Sequence, residues 1–238
     1  MSSRPATPSD SPRDPSGDSP SGDATGVPRA RMILVGGASG SGKSRLTAAS
    51  GLPILRLDDF YRELGDPALP LLPSGEVDWD HPDSWHVDAA LAAAVELARS
   101  GRVEVPVYDI STSAVTGKRT LDLRGRPAFV AEGVFVGEMV RPAQEAGILA
   151  DALCVRRSRW LTMAFRFVRD LRENRKSPAF LVKRGLLLAR REPGIVRHLV
   201  ASGCRPLRVR AIRRLLGTYA GGPSGADAGP VTGARQAV

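Results

Sequence analysis

Apolar residues gather in five short runs along the middle of the chain: Met32–Val35, Ile54–Leu57, Val103–Val107, Phe129–Ala131 and Ala152–Val155. Runs this short, bounded by glycine, proline or charged residues, predict strands. Between them the pattern suits helices. One is expected directly after Lys43, cut short by Gly51 and Pro53, a second over Asp83–Ser100 and a third around Glu138–Ala146. Alternating strands and helices predict a parallel sheet with helices on both faces. The following stretch, Trp160–Tyr219, reads as mainly helical and rich in arginine. No internal repeat interrupts this order.

The ends of the chain differ from its middle. Residues 1–28 hold six prolines and many Ser, Gly and Asp with almost nothing to bury, and residues 221–238 read the same way, so both are expected to be disordered tails. That leaves one domain over 29–220, and 42% hydrophobic residues in 238 suffice for its core. No run reaches bilayer-spanning length, and the first residues lack the apolar segment of a signal peptide, so a cytoplasmic protein without a membrane partner is expected. Cys154 and Cys204 follow no metal-ligand spacing and read as small apolar residues.

The net charge of +9 is unevenly spread. Between Arg156 and Arg214 stand 18 Lys/Arg against 3 Asp/Glu, leaving 16 against 22 in the rest. Any polyanion must therefore meet the basic third of the chain. Handling of phosphate groups, a solvated helix face and nucleic-acid binding all fit such a segment, and nucleic acid is the least expected of the three.

The first strand runs straight into Gly37-Ala38-Ser39-Gly40-Ser41-Gly42-Lys43-Ser44, a complete G-x-x-x-x-G-K-[ST] phosphate loop. Glycines at 37, 40 and 42 let successive backbone N–H groups turn toward an anion with no Cβ in the way, and the helix that follows aims its positive end at the same place. Lys43 adds a point charge and Ser44 a hydroxyl for Mg²⁺. ATP and Mg²⁺ are therefore the expected cofactors. The fold class is α/β, a P-loop NTPase three-layer sandwich with a central, mostly parallel sheet and an Arg-rich helical lid and C-terminal region.

Ligands of such sheets sit at the carboxyl ends of the strands. Asp58-Asp59-Phe60-Tyr61, Tyr108-Asp109 and Glu132-Gly133 follow three of the predicted strands there. One carboxylate near a γ-phosphate can accept the proton of an attacking hydroxyl, and another can hold Mg²⁺. Against these roles stand a helix N-cap for Asp58 and a buried arginine partner for Glu132.

Taken together, these motifs resemble the uridine kinase-like P-loop kinases, with phosphoribulokinase and bacterial pantothenate kinase as more distant relatives. The resemblance covers about Arg31 to Lys176 and rests on motifs in the same order. Asp58-Asp59-Phe60-Tyr61 is similar to D-S-F-Y, which implies that Asp58 is the catalytic base beside Lys43. Trp79-Asp80-His81-Pro82-Asp83-Ser84-Trp85 resembles F-D-H-P-D-A-F and implies ribose binding by Asp80. Pro106-Val107-Tyr108-Asp109 matches P-V-Y-D and implies a nucleobase contact by Tyr108, while Ala131-Glu132-Gly133 resembles L-E-G and places Glu132 near the metal with Ser44. Arg166-Phe167-Val168-Arg169-Asp170 with Glu173 looks like the lid, implying that Arg166 reaches the acceptor and that Arg169, Arg175 and Lys176 reach ATP.

The chain also departs from that pattern. Ile110 and Ser113 stand where pyrimidine-phosphorylating members have an aromatic ring and a base-reading His, so the implied pyrimidine contact is absent. Glu173-Asn174-Arg175-Lys176-Ser177 replaces E-R-G-R-D and loses one lid arginine. The resulting expectation is an ATP-dependent kinase acting on a hydroxyl of a nucleoside or related diol-bearing metabolite, with a homo-oligomer left open. The alternatives are a kinase for a non-nucleoside alcohol and a nucleotide-gated polyanion-binding protein. Trp79 and Trp85 read either as core anchors or as stacking surfaces, and His81 as a structural cap before Pro82.

Overall fold

The structure is a computed structural model and describes residues 27–38, 40–156 and 194–221. At its centre lies β1 (Arg31–Gly36), in which Met32, Ile33, Leu34 and Val35 are all fully buried. A strand covered on both faces has no polar side to present, which is why its sequence is a continuous apolar run.

From β1 the chain passes through α1 (Lys43–Ala48) to β2 (Ile54–Arg56), then a 3₁₀ turn over Leu57–Phe60. After a second 3₁₀ turn at Pro82–Ser84 come α2 (Val87–Ser100), β3 (Arg102–Asp109), β4 (Ala114–Asp122), β5 (Ala128–Glu132), α3 (Val136–Glu145) and β6 (Leu149–Arg156). Residues 194–201 are helical, and β7 (Arg205–Arg208) and α4 (Val209–Gly221) follow. The five-stranded sheet has the order β2-β5-β1-β6-β7, with every pairing parallel.

Alternate β1 side chains feed two cores. Met32 and Leu34 pack with Leu97 of α2 and Met139 of α3, whereas Ile33 and Val35 pack with Leu46 of α1 and Leu216 of α4. The result is the predicted α/β three-layer arrangement around a parallel sheet. The register sets Arg56 and Val35 on either side of Glu132, so β2, β5 and β1 end side by side. Whatever follows them is gathered at one edge of the sheet.

Several expected elements are corrected. Val103–Val107 is not a strand of the parallel sheet: it pairs antiparallel with β4 in a separate two-stranded ribbon. Val103 and Val105 are buried while Arg102 and Glu104 are exposed, the alternation of a half-buried hairpin. The helix expected from Asp83 begins at Val87, because Trp85 is extended and its indole Nε1 donates to the Leu57 carbonyl at 2.7 Å. The helix expected from Glu138 starts at Val136, and β7 interrupts the stretch read as mainly helical. The expected lid residues Arg166, Arg169, Arg175 and Lys176 lie outside the described residues, as do Ser39 and the tails 1–26 and 222–238.

Candidate active site

The phosphate loop turns as its glycines require. Gly40 and Gly42 have φ of 78° and 89° and Gly37 has φ 146°, all in the half of the map that side chains avoid. Ala38 is buried, and its carbonyl accepts from the Ser41 N–H at 3.0 Å. Lys43 folds back over this turn, its Nζ donating to the Gly37 carbonyl at 2.6 Å and the Ala38 carbonyl at 3.2 Å. The hydroxyl of Ser41 is buried and has no hydrogen-bond partner among the described residues. An orphaned donor inside a loop of positive-φ glycines fits a loop shaped for an anion.

Three side chains gather beside this loop, Ser44 from the first turn of α1 and Glu132 and Asp58 from the ends of β5 and β2. Ser44 Oγ donates to Glu132 Oε2 at 3.2 Å, joining the first turn of α1 to the end of β5. Burial pushes the Glu132 carboxyl above the usual carboxylate range, against the opposing pull of the Ser44 hydrogen bond and the Lys43 charge. Asp58, in the turn after β2, is also raised, chiefly by burial, with Lys43 and the Val134 N–H working in the opposite direction. Its Oδ1 accepts from Val134 N at 3.3 Å. Glycine at 133 makes this approach feasible, since a Cβ there would lie 2.8 Å from Leu57 Cβ and 2.9 Å from Asp58 Oδ1. The N-cap role weighed for Asp58 is not seen: it sits inside the 3₁₀ turn, which has no side-chain cap.

An aromatic cluster extends from Asp58. Tyr61 lies with its ring centroid 6.0 Å from Trp79, 5.8 Å from Tyr108 and 5.7 Å from Phe135. Its hydroxyl is pushed up by burial first, then by the charges of Asp58 and Asp80. The tryptophans divide: Trp85 is a buried core anchor stacked on Phe135, whereas Trp79 is half-buried with its ring edge-on to Tyr61. His81 is a structural cap, its Nδ1 accepting from the Asp83 N–H at 3.1 Å. The Tyr108 hydroxyl is engaged within the protein, donating to the Arg62 carbonyl at 3.0 Å and bonded to the side chain of Ser113.

Four contributors were missed in the sequence. Tyr61 stands in the Asp58 motif with no role of its own, Trp79 reads either as a core anchor or as a stacking surface, and Gly133 reads only as the neighbour of Glu132. Arg119 of β4 gave no signal, yet its Nη2 donates to Asp59 Oδ2 at 3.2 Å and fastens the ribbon to the turn carrying Asp58.

Ser44 and Glu132 are hard oxygen donors beside the phosphate loop, and Mg²⁺ typically needs only one or two protein oxygens when phosphates supply others. The residues present therefore fit the ion. Among the described residues no cluster of three or more His, Cys, Asp or Glu competes for it. No helix among them is long and apolar enough to cross a membrane.

Known proteins similar to this chain bear out the resemblance carried by its motifs. The uridine kinase of Saccharomyces cerevisiae is 28% identical over 111 residues, 44% of this chain and 22% of that protein. The uridine kinase of Deinococcus deserti is 25% identical over 178 residues, covering 68% of this chain and 79% of the relative. The chain spans about a quarter of the length of the yeast uridine kinases it matches, 22% and 29%. No family model matches the chain. Among solved structures, a "putative fructose transport system kinase" from Silicibacter sp. shares the fold with a TM-score of 0.54 at 18% identity, covering 76% of this chain and 90% of that one.

Proposed function

We propose that this chain is an ATP-dependent small-molecule kinase that transfers the γ-phosphoryl group to a hydroxyl of a nucleoside or related diol-bearing metabolite. The observation that carries this reading is the convergence of Lys43, Ser44, Glu132 and Asp58 at the adjoining ends of β1, β2 and β5. A pure nucleotide switch has no need of a general base for an acceptor hydroxyl at the position of Asp58. The relatives named uridine kinase support a nucleoside acceptor.

In this reading the loop amides and Lys43 hold the β- and γ-phosphates, Lys43 exchanging its loop carbonyls for phosphate oxygens. Ser44 and Glu132 hold Mg²⁺, which when bound neutralises charge on the transferring group. Asp58 orients the acceptor hydroxyl and takes its proton, and its raised affinity for a proton suits a base that must be neither fully exposed nor permanently paired. Asp80 binds the diol, and the rings of Tyr61, Trp79 and Tyr108 bound the acceptor on its apolar side. Arg166, Arg169, Arg175 and Lys176 are proposed to close over the phosphates and exclude water.

The test is acceptor-dependent ADP release with MgATP across nucleosides, sugars and small alcohols. The reading expects at least one vicinal diol to stimulate release, and Asp58→Asn to abolish the stimulation. ATP binding with no stimulation by any acceptor would instead favour a nucleotide-gated binding protein.

A further inference from the structure

At the end of the sheet opposite the phosphate loop, three arginines surround one cavity. This cavity, of about 330 Å³, is lined by Arg29, Arg102 and Arg126 with Ser100, Asp122, Leu123 and the glycines of the neighbouring turns. β1 is six residues long, so at ~3.3 Å per residue its ends are about 17 Å apart and the cavity is distinct from the loop after Gly36. Ligands of parallel sheets are expected at the carboxyl ends, and a basic cavity at the amino ends of β1 and β5 has no part in that site.

The frame around it is fixed by backbone hydrogen bonds. Ala30 N donates to Ala98 O at 3.1 Å, Leu123 N to Gly101 O at 2.8 Å, and Arg31 N to Pro127 O at 2.9 Å. These bonds tie the segment before β1, the α2–β3 turn and the β4–β5 turn into one unit, so the backbone positions that carry the three arginines are gathered around the cavity. The C-terminal carbonyls of α2, which would repel an anion, are largely covered: Glu96 O accepts from Ser100 Oγ, Leu97 O from Gly101 N and Ala98 O from Ala30 N.

The charge is left over. Asp122 is the one carboxylate lining the cavity, and its Oδ1 already accepts from the Arg124 N–H at 2.7 Å. Arg126 Nη1 donates to the Ala220 carbonyl, and neither Arg29 nor Arg102 makes a side-chain hydrogen bond or ion pair with another described residue. Three arginines and one carboxylate line the cavity, and most of the guanidinium donors have no partner among the described residues, which matches an anion that offers several oxygens. The cavity is large enough for two linked phosphoryl groups and too small to take in a duplex.

We infer that this arginine-lined cavity is a second anion site, which takes the pyrophosphoryl group of a small polyphosphate independently of the phosphate loop. Its source is either inorganic pyrophosphate or the tail of a nucleoside triphosphate.

Titration calorimetry at low salt with inorganic pyrophosphate, and separately with ATP, tests this on the full chain. Wild type is expected to take two equivalents, and Lys43→Ala one. In the Lys43→Ala background, Arg102→Gln with Arg126→Gln should remove the remaining equivalent, and Arg29→Gln alone should weaken it by about tenfold. Arg29→Gln guards against misfolding of the double variant, because Arg29 holds nothing else together among the described residues. Equal binding of both probes assigns the site to the pyrophosphoryl group alone, and tighter binding of ATP adds a contact to the nucleoside. Loss of all binding in Lys43→Ala, or unchanged binding after the arginine substitutions, overturns the proposal. So does binding of a DNA duplex by these arginines with no stoichiometric pyrophosphate. Two equivalents retained by Lys43→Ala would instead count against the phosphate-loop reading, which keeps the two failures separate.

Discussion

Gly133 stands so close to Asp58 that a methyl group in place of its hydrogen would reach within 2.9 Å of the carboxylate Oδ1. The same methyl would lie 2.8 Å from Leu57 Cβ, which belongs to the turn and cannot swing away. Gly133→Ala should therefore push the Leu57–Phe60 turn outward. Overpacking of this kind costs about 1–3 kcal/mol of stability. Under the proposed role of Asp58 as base, its displacement by about 1 Å is expected to lower kcat by roughly 10²-fold. Calorimetric melting and single-turnover kinetics check both, and ATP affinity should change least. Full turnover in a destabilised Gly133→Ala protein would show that the position of Asp58 is immaterial.

Lys43 is held by the Gly37 and Ala38 carbonyls at the floor of the loop. Replacing it with Ala removes the charge that acts on both Asp58 and Glu132 as well as the one offered to phosphate. A loss of about 10² to 10⁴ in rate is expected, with the fold retained. Near-normal turnover of Lys43→Ala would contradict the assignment of the phosphate loop.

The phosphate loop was legible because its chemistry is contiguous: glycine, lysine and serine act through local backbone geometry. The five-stranded sheet was less complete in the sequence. Its buried strands announce themselves as apolar runs, but β7 reads Arg-Pro-Leu-Arg and pairs only at the edge, where a proline is tolerated. The β3–β4 ribbon was invisible as such, since Val115 to Lys118 is exposed throughout and carries no apolar alternation. For that reason the Asp59–Arg119 contact, 60 residues apart, could not be read. The Asp58–Gly133 approach is likewise a property of two strands ending side by side.

The pair of Asp59 and Arg119 should matter more than a surface ion pair, because the Asp59 side chain is only 12% exposed. Arg119→Ala leaves that carboxylate buried without its partner, at an expected cost of about 1–3 kcal/mol. Asp59→Ser in the same chain removes the stranded charge and should recover most of the loss, as chemical denaturation of the two variants would reveal. No recovery would mean that Arg119 acts through its packing alone.

Asp58 holds its proton more tightly in the folded chain than in the unfolded one, mainly through burial. Between the two pKa values the unfolded state binds fewer protons, so this group lowers stability as pH rises above the ordinary carboxylate range of ~3.9. Asp58→Asn abolishes that penalty. The variant should melt higher than wild type at neutral pH, with the advantage fading as pH falls below the unfolded carboxylate pKa. Its kcat should drop by about 10² or more. Lower stability of the Asp58→Asn variant at neutral pH would make Asp58 a structural anchor rather than a base.

The acceptor is where this chain departs from its relatives. Ser113, which stands in place of a base-reading His, has φ 52° and is hydrogen-bonded to Tyr108, so it is turned inward to that phenol. Ile110, in place of an aromatic ring, is 72% exposed. A site that reads a base by hydrogen bonding and then loses that donor forfeits orders of magnitude in discrimination. Uridine is therefore expected to be a poor acceptor, whereas the diol role proposed for Asp80, whose charge acts on Tyr61, does not depend on that His. Asp80→Ala should raise the KM of a vicinal-diol acceptor more than it alters ATP binding. Saturable phosphorylation of uridine with a submillimolar KM would restore a plain uridine kinase, and a good acceptor without any diol would remove the role given to Asp80.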